Sequence, residues 1–228
     1  MTMPFYVPPE QVMKDRADYA RKGIARGRSL AAMTTVEGVV LIAENPSRTL
    51  YKISEIYDRI AFAGVGKYNE FEMLRIAGVR QADLKGYSFA REDVNARSLA
   101  NAYAQTLGQV FTHEMKPYEV EILVAQVGAT PDDDEMFQIL YDGVVMDKEG
   151  FTVLGGQADA VSELLEGRYQ ADLDLAGAIK LGASVLAGAD EAALGADQLE
   201  AGLLDRRRPR RAFHRIKGAE FEELLAAG

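Results

Sequence analysis

Three stretches of this chain are apolar at nearly every position: GVVLIAE (38–44), RIAFAGVG (59–66) and EVEILVAQ (119–126). A strand with one wet face alternates apolar and polar residues, whereas a strand covered on both faces reads as a continuous apolar run. These runs therefore require sheets with cover on each side. No apolar run approaches the ~18 residues of a membrane span, so the cover is expected to be protein.

The segments around the three runs supply that cover. Glu10 to about Arg26 reads as a helix, with Val12, Met13, Ala17, Ala20 and Ile24 near one face. Pro8 and Pro9 cannot continue it backward, and they stiffen its start. Leu30 to Val36, a turn at Glu37-Gly38 and Val39 to Ala43 read as a hairpin, with RIAFAGVG as a third strand. Two helices follow over about 67–84 and 91–113, then strands at 119–128, 135–142, 143–149 and 151–155. Gly155-Gly156 turns the chain into a helix over QADAVSELLEGRY, and a further helix covers 173–189. Strands at 197–205 and 211–216 close the pattern, and AEFEELLAAG reads as a terminal helix.

Helices thus arrive in pairs between blocks of antiparallel strands. That order predicts an α+β fold, a four-layer αββα sandwich with an extra N-terminal helix. No linker divides residues 10–228, which read as a single domain behind a short segment, 1–9, that cannot fold alone.

Composition narrows the chemistry. There is no cysteine, and the two histidines, His113 and His214, lie far apart, so neither a metal centre nor a metal cofactor is expected. The net charge of −9 argues against nucleic acid or a membrane surface as partner. No basic segment followed by an apolar core opens the chain, so no secretory signal is read and a cytoplasmic protein is expected.

Among the motifs, GVGKY (64–68) places Gly-x-Gly and a lysine at a strand-to-helix junction, where backbone N–H groups can cradle an anion. It lacks the third glycine of a dinucleotide fingerprint and the ending of a P-loop, so a tight turn is the plainer reading. The acidic run from Asp132 to Glu135 reads as a solvated loop, and RRRPRR (206–211) as an exposed turn or a subunit contact. His113 and Glu114, adjacent at a helix end, point apart. Met13, Met33 and Met73 read as core filling.

Several longer blocks are distinctive: YARKGIARG, AENPSR, KISE followed by YDR, NAYAQTLGQVFT, KPYEVEILVA and RPRRAF. With them the chain, from Pro8 to about Leu224, resembles the α-subunits of actinobacterial 20S proteasomes. The resemblance implies the fold of N-terminal-nucleophile hydrolases, in agreement with the order of elements. It implies heptameric α-rings capping β-subunits that cut with an N-terminal threonine. It implies an axial gate and the docking of a ring-shaped ATPase, whose C-terminal tails insert between α-subunits and which delivers proteins tagged with a small ubiquitin-like modifier.

The resemblance also assigns residues. The gate segment is Met3, Phe5, Tyr6, Val7, Pro8 and Pro9. Lys52 matches the pocket lysine for the activator tail, with Gly27, Gly66 and Lys67 lining the same groove and Arg26 a weaker member. The helix over 10–26 is expected to meet its ring neighbours, using charges such as Lys14, Asp15, Arg16 and Asp18. No catalytic residue is expected. The family's acidic partner is replaced by Glu44, and Arg59 stands near the position of the catalytic lysine. Two other readings compete: a self-contained hydrolase using Thr2 or Ser29, and an acidic sandwich protein that binds a small anion at GVGKY.

Overall fold

In the computed structural model, which describes residues 8–188 and 194–226, the three apolar runs are central strands. Helix α1 (Pro9–Ile24) leads into β1 (Leu30–Thr34), β2 (Gly38–Glu44), β3 (Ile53–Tyr57) and β4 (Ile60–Gly66). Helices α2 (Tyr68–Ser88) and α3 (Ala96–His113) follow, then β5 (Val120–Gln126), β6 (Glu135–Ile139), β7 (Val145–Lys148) and β8 (Phe151–Leu154). The chain ends with α4 (Ala158–Glu166), α5 (Leu175–Ala187), β9 (Leu199–Asp205), β10 (Phe213–Ile216) and α6 (Ala219–Ala226). One sheet runs β10-β9-β2-β1-β8 and the other β3-β4-β5-β6-β7, with antiparallel pairing throughout.

The apolar runs are explained residue by residue. Along β2, Val39, Leu41 and Ala43 point between the sheets, while Val40 and Ile42 point outward to α4, α5 and α6. Along β4, Ala61, Ala63 and Val65 point inward, and Ile60 and Phe62 meet α2 and α3. In β5, Leu123 and Ala125 point inward and Val120, Ile122 and Val124 outward. The result is the expected αββα sandwich: helices, sheet, sheet, helices. Helix α1 stands apart, with a small cluster of its own in which Ala20 and Ile24 meet Tyr141.

Several expectations are corrected. The strand at 60–66 is the fourth, because β3 precedes it. Only Ile53 and Ile56 of β3 are buried, and a bulge interrupts its pairing, so its sequence carries little periodic signal. The block 143–155 is not a run of neighbours: β7 pairs with β6, while β8 crosses to β1 in the other sheet. Residues 91–93 form a separate short turn, and α3 starts behind Asn95, whose side chain accepts from the Ser98 N–H. Met33 is core, but Met13, Met73 and Met115 are exposed.

Both charge runs contribute to the interior. Arg206, only 11% exposed, donates to both carboxylate oxygens of Asp134 at 2.9 Å, and that carboxylate is 1% exposed. The same guanidinium donates to the carbonyls of Thr35, Val36 and Gly128. Arg206 therefore bolts the β1–β2 turn of one sheet to the β5–β6 loop of the other. Neither run is simply solvated. Removing one partner of a buried, hydrogen-bonded pair strands the other charge, so Asp134→Ala is expected to cost ~3–5 kcal/mol in a urea titration. A loss below ~1 kcal/mol would show that the bolt does not join the sheets.

Candidate functional site

The C-terminal end of α1 lies against the end of β4. After Ile24 the chain turns, with the Gly27 N–H donating to the Ile24 carbonyl, and Gly27 packs over Val65. Strand β4 ends at Gly66 with φ +101°, and a Cβ there would run into the Glu119 carbonyl, so no L side chain fits. The next N–H, of Lys67, donates to that carbonyl at 2.9 Å, and α2 starts at Tyr68. These turns leave a cavity of about 420 Å³ lined by Tyr19, Gly23, Arg26, Gly27, Gly66, Lys67 and Glu119.

Four of the five expected pocket residues, Arg26, Gly27, Gly66 and Lys67, thus share one cleft. Lys52 is not part of its lining. Its Nζ donates to the Arg28 carbonyl at 2.8 Å, one residue beyond Gly27. Buried Glu200 fixes it there, accepting from the Lys52 and Ile53 N–H groups at 2.8 and 3.1 Å and also from Asn45 and Arg215.

Lys67 and Arg26 are exposed, and the positive end of the α2 dipole opens beside them. Burial pulls the Lys52 amine down to a pKa of about 8, with Glu200 opposing the shift and Arg28 adding to it. Behind the cleft stands a charged cluster with no expectation behind it. Buried Glu70 accepts from Lys116 Nζ at 2.8 Å and from the Glu119 N–H at 2.7 Å, with Lys67 Nζ 3.7 Å away. Lys116 also meets the Glu119 carboxylate at 2.8 Å and lies 5.4 Å from the centre of the Tyr19 ring. The three-residue spacings Lys67–Glu70 and Lys116–Glu119 were the available signals.

The corner where a nucleophile would stand is closed. Ser29, at the head of β1, is 6% exposed and continuous with α1 through Arg28. Thr34 and Thr35 are internal and buried. Glu44 is paired with Arg28. Arg59 is not near this corner: it precedes β4, at the end opposite Gly66, and donates to the carbonyls of Val127, Gly128 and Arg208. The lysine that does stand beside the head of β1 is Lys52.

Pro8 caps α1, its carbonyl accepting from Gln11 and Val12, and Pro9 is the first helical residue. Met3, Phe5, Tyr6 and Val7, with Thr2, lie outside the described residues. Arg16, expected to face a neighbouring subunit, is used within the chain, donating to the carbonyls of Val110 and Glu114 at the end of α3.

The chain is similar to known proteins over most of its length. Residues 24–204 match the family described as "Proteasome subunit". The chain is similar to proteins named "Proteasome subunit alpha" from three actinobacterial sources. That of Sanguibacter keddieii is 58% identical, covering 100% of this chain and 91% of the relative. That of Acidimicrobium ferrooxidans is 59% identical, over 99% and 97%. That of Thermomonospora curvata is 55% identical, over 100% of both.

The half-buried Lys52 amine can be titrated directly. A side-chain NMR titration of Lys52 is expected to show a midpoint near pH 8, and a midpoint near the ordinary 10.5 would show that the amine is hydrated. The sign for stability follows: the unfolded chain holds this proton to higher pH, so stability rises as pH climbs from about 8 toward 10.5.

Proposed function

The chain belongs to the proteasome subunit family, and from that premise we propose that it is a non-catalytic α-subunit that builds the outer heptameric rings of a cytoplasmic 20S proteasome. In this role it gates the passage of substrates through residues 1–9 and receives the C-terminal tails of a ring-shaped ATPase. The β-subunits then cut the unfolded, tagged proteins. The observation that carries this reading is the convergence of Arg26, Gly27, Gly66 and Lys67 on one cleft with Lys52 beside it. A tail's carboxylate entering there meets two exposed cations and a helix N-terminus.

The hydrolase alternative lacks its base. An N-terminal nucleophile needs a free amine at the head of the first strand, and here that nitrogen is in a peptide bond. Thr2 connects through Pro9, and α1 puts its 16 residues, ~24 Å of helix, between Pro9 and the turn into β1. Ring formation is supported by the apolar flank of α1. Val12, Met13 and Tyr19 are partly exposed, Met115 is 99% exposed, and a cavity of about 600 Å³ lies between α1 and the Met115–Pro117 segment.

Lys52→Glu is expected to abolish ATPase-stimulated protein degradation by the assembled particle while short-peptide cleavage continues. Normal stimulation would show that tails dock elsewhere. Tail affinity should be highest below about pH 8 and fall partway as the pH rises through that value, because the Lys52 amine adds to the attraction of Lys67 and Arg26 only while it is charged. Deleting residues 1–8 is expected to raise short-peptide cleavage severalfold, and an unchanged rate would remove the gate from this segment.

A further inference from the structure

Buried carboxylates in this fold are matched by cations. Glu70 is met by Lys116, Asp134 by Arg206, Glu200 by Arg215 and Asp205 by Arg207. Among the described residues, Glu121 is the buried carboxylate that no lysine or arginine pairs with. It is 8% exposed, and the donors it has are neutral: the Gln138 amide at 2.5 Å and the Gly155 N–H at 3.2 Å. The Thr152 hydroxyl in turn donates to the Gln138 Oε1 at 3.0 Å. Glu121 lines a cavity of about 480 Å³ at the edge where β8 of one sheet meets β5 of the other. We propose that this cavity is a binding site for an alkyl cation, a primary ammonium or guanidinium on a short carbon chain, whose charged head Glu121 receives.

Strand periodicity puts these groups in the apolar layer between the sheets. Glu121 alternates with Leu123 and Ala125 along β5, Gln138 lies opposite Leu123 on β6, and Thr152 stands two residues before Leu154 on β8. An apolar residue at position 121 would extend the core, whereas a carboxylate without a cation is costly there. Burial pushes the Glu121 carboxyl above its usual range, with Gln138, Gly155 and Lys148 opposing the shift and Asp159 adding to it. A bound cation relieves the same penalty.

The rest of the lining fits a cation on an alkyl stem. Glu149 and, from α4, Asp159 and Glu166 add three carboxylates, against Lys148 as the cation of the lining. Asp159, Ser162 and Glu166, at i, i+3 and i+7, form one face of α4, while Val161 and Leu165 are buried on another. Leu140, Met146 and Phe151 offer apolar wall to methylene groups. An anion finds the N–H groups at the head of α4 already used: Gly155 donates to Glu121, Gly156 to the Gly27 carbonyl and Ala158 to the Gly155 carbonyl. Lys148 lines the cavity without pairing with Glu121, and its charge opposes a second cation. Two sources carry the required head group: a free amine or guanidine, and a lysine or arginine side chain of a neighbouring copy of this chain. The second source rests on the ring reading, and the site itself does not.

The test is a calorimetric titration of the full chain, as the monomer separated by gel filtration and as particles assembled with the β-subunit. The probes are n-butylammonium and n-butylguanidinium, with n-butylurea as the neutral isostere. The monomer is expected to bind both cations saturably and the urea about tenfold more weakly. Glu121→Gln should weaken cation binding about tenfold, and Asp159→Asn, at the rim, about threefold. Lys148→Gln should tighten it about threefold. Thermal unfolding of each variant shows whether it is folded. Binding that persists in the particle identifies a free solute as the ligand, and binding that assembly abolishes identifies a neighbour's side chain. A monomer that does not bind, equal binding of the urea, wild-type affinity in folded Glu121→Gln, or weaker binding in Lys148→Gln would each overturn the site. Should Glu121→Gln not fold, unchanged affinity in Asp159→Asn overturns it.

Discussion

Strands β2, β4 and β5 carry apolar side chains on both faces, and a sheet built on such strands must be covered twice. The outer faces are met by helices and the inner faces by each other. The inner layer is rich in small residues, with Ala32, Ala43, Ala61, Ala63 and Ala125 among Leu30, Leu41, Ile53 and Leu123. Small side chains let the two sheets approach closely, and the larger ones fill the gaps that remain. Once the interior is committed in this way, most polar chemistry falls at the rims, where strands end and turns begin, the buried Glu121–Gln138–Thr152 group being an exception. The Arg206–Asp134 bolt closes one rim by joining turns of both sheets.

The opposite rim holds the cleft, and its shape follows from a backbone requirement. Gly66 must bend with positive φ against the Glu119 carbonyl for β4 to pass into α2. That bend sets the first turn of α2, Lys67 and the end of α1 around a common space. Helix α1 is not needed to cover a sheet, and its burial is correspondingly slight. It is attached through a tether at Arg16, an aromatic contact under Lys116 and the close approach of Gly23 to Glu119. A helix held by few contacts at a charged rim is suited to motion, whereas the layered interior is not.

Much of this was legible because burial on two faces leaves a strong linear signature. The apolar runs, the paired helices and the glycine-lysine junction at 64–68 could all be read without contacts. What failed to show depended on long separations or weak periodicity. Asp134 and Arg206 are 72 residues apart, so each charge run alone reads as a solvated surface. Strand β3 offers two buried residues and a bulge. That β8 leaves its sequence neighbour β7 for β1 is a matter of topology, which local pattern does not contain. The resemblance set Arg59 near the position of the catalytic lysine, yet it lies at the end of β4 opposite Gly66, away from the head of β1. Exposed Met13 and Met73 resemble core residues in composition and differ only in which way their helices face.

The corner at the head of β1 brings a lysine, a peptide carbonyl and the turn after α1 together. A lysine amine with its pKa drawn down to about 8 stands there, close enough to donate to the Arg28 carbonyl at 2.8 Å. If the strand began at this point, a free amine and a hydroxyl at the chain terminus would occupy the same place, and such a lysine could tune their protonation. With α1 spliced ahead of it, the nitrogen lies in a peptide bond and cannot act as a base. The carbonyl it leaves behind becomes the acceptor that holds Lys52 in position. Glu200 holds the Lys52 backbone N–H, and the amine stands beside the cleft that Lys67 and Arg26 line. Helix α1 and the turn after it therefore keep that nitrogen in a peptide bond and supply one wall of the cleft through Tyr19, Gly23, Arg26 and Gly27.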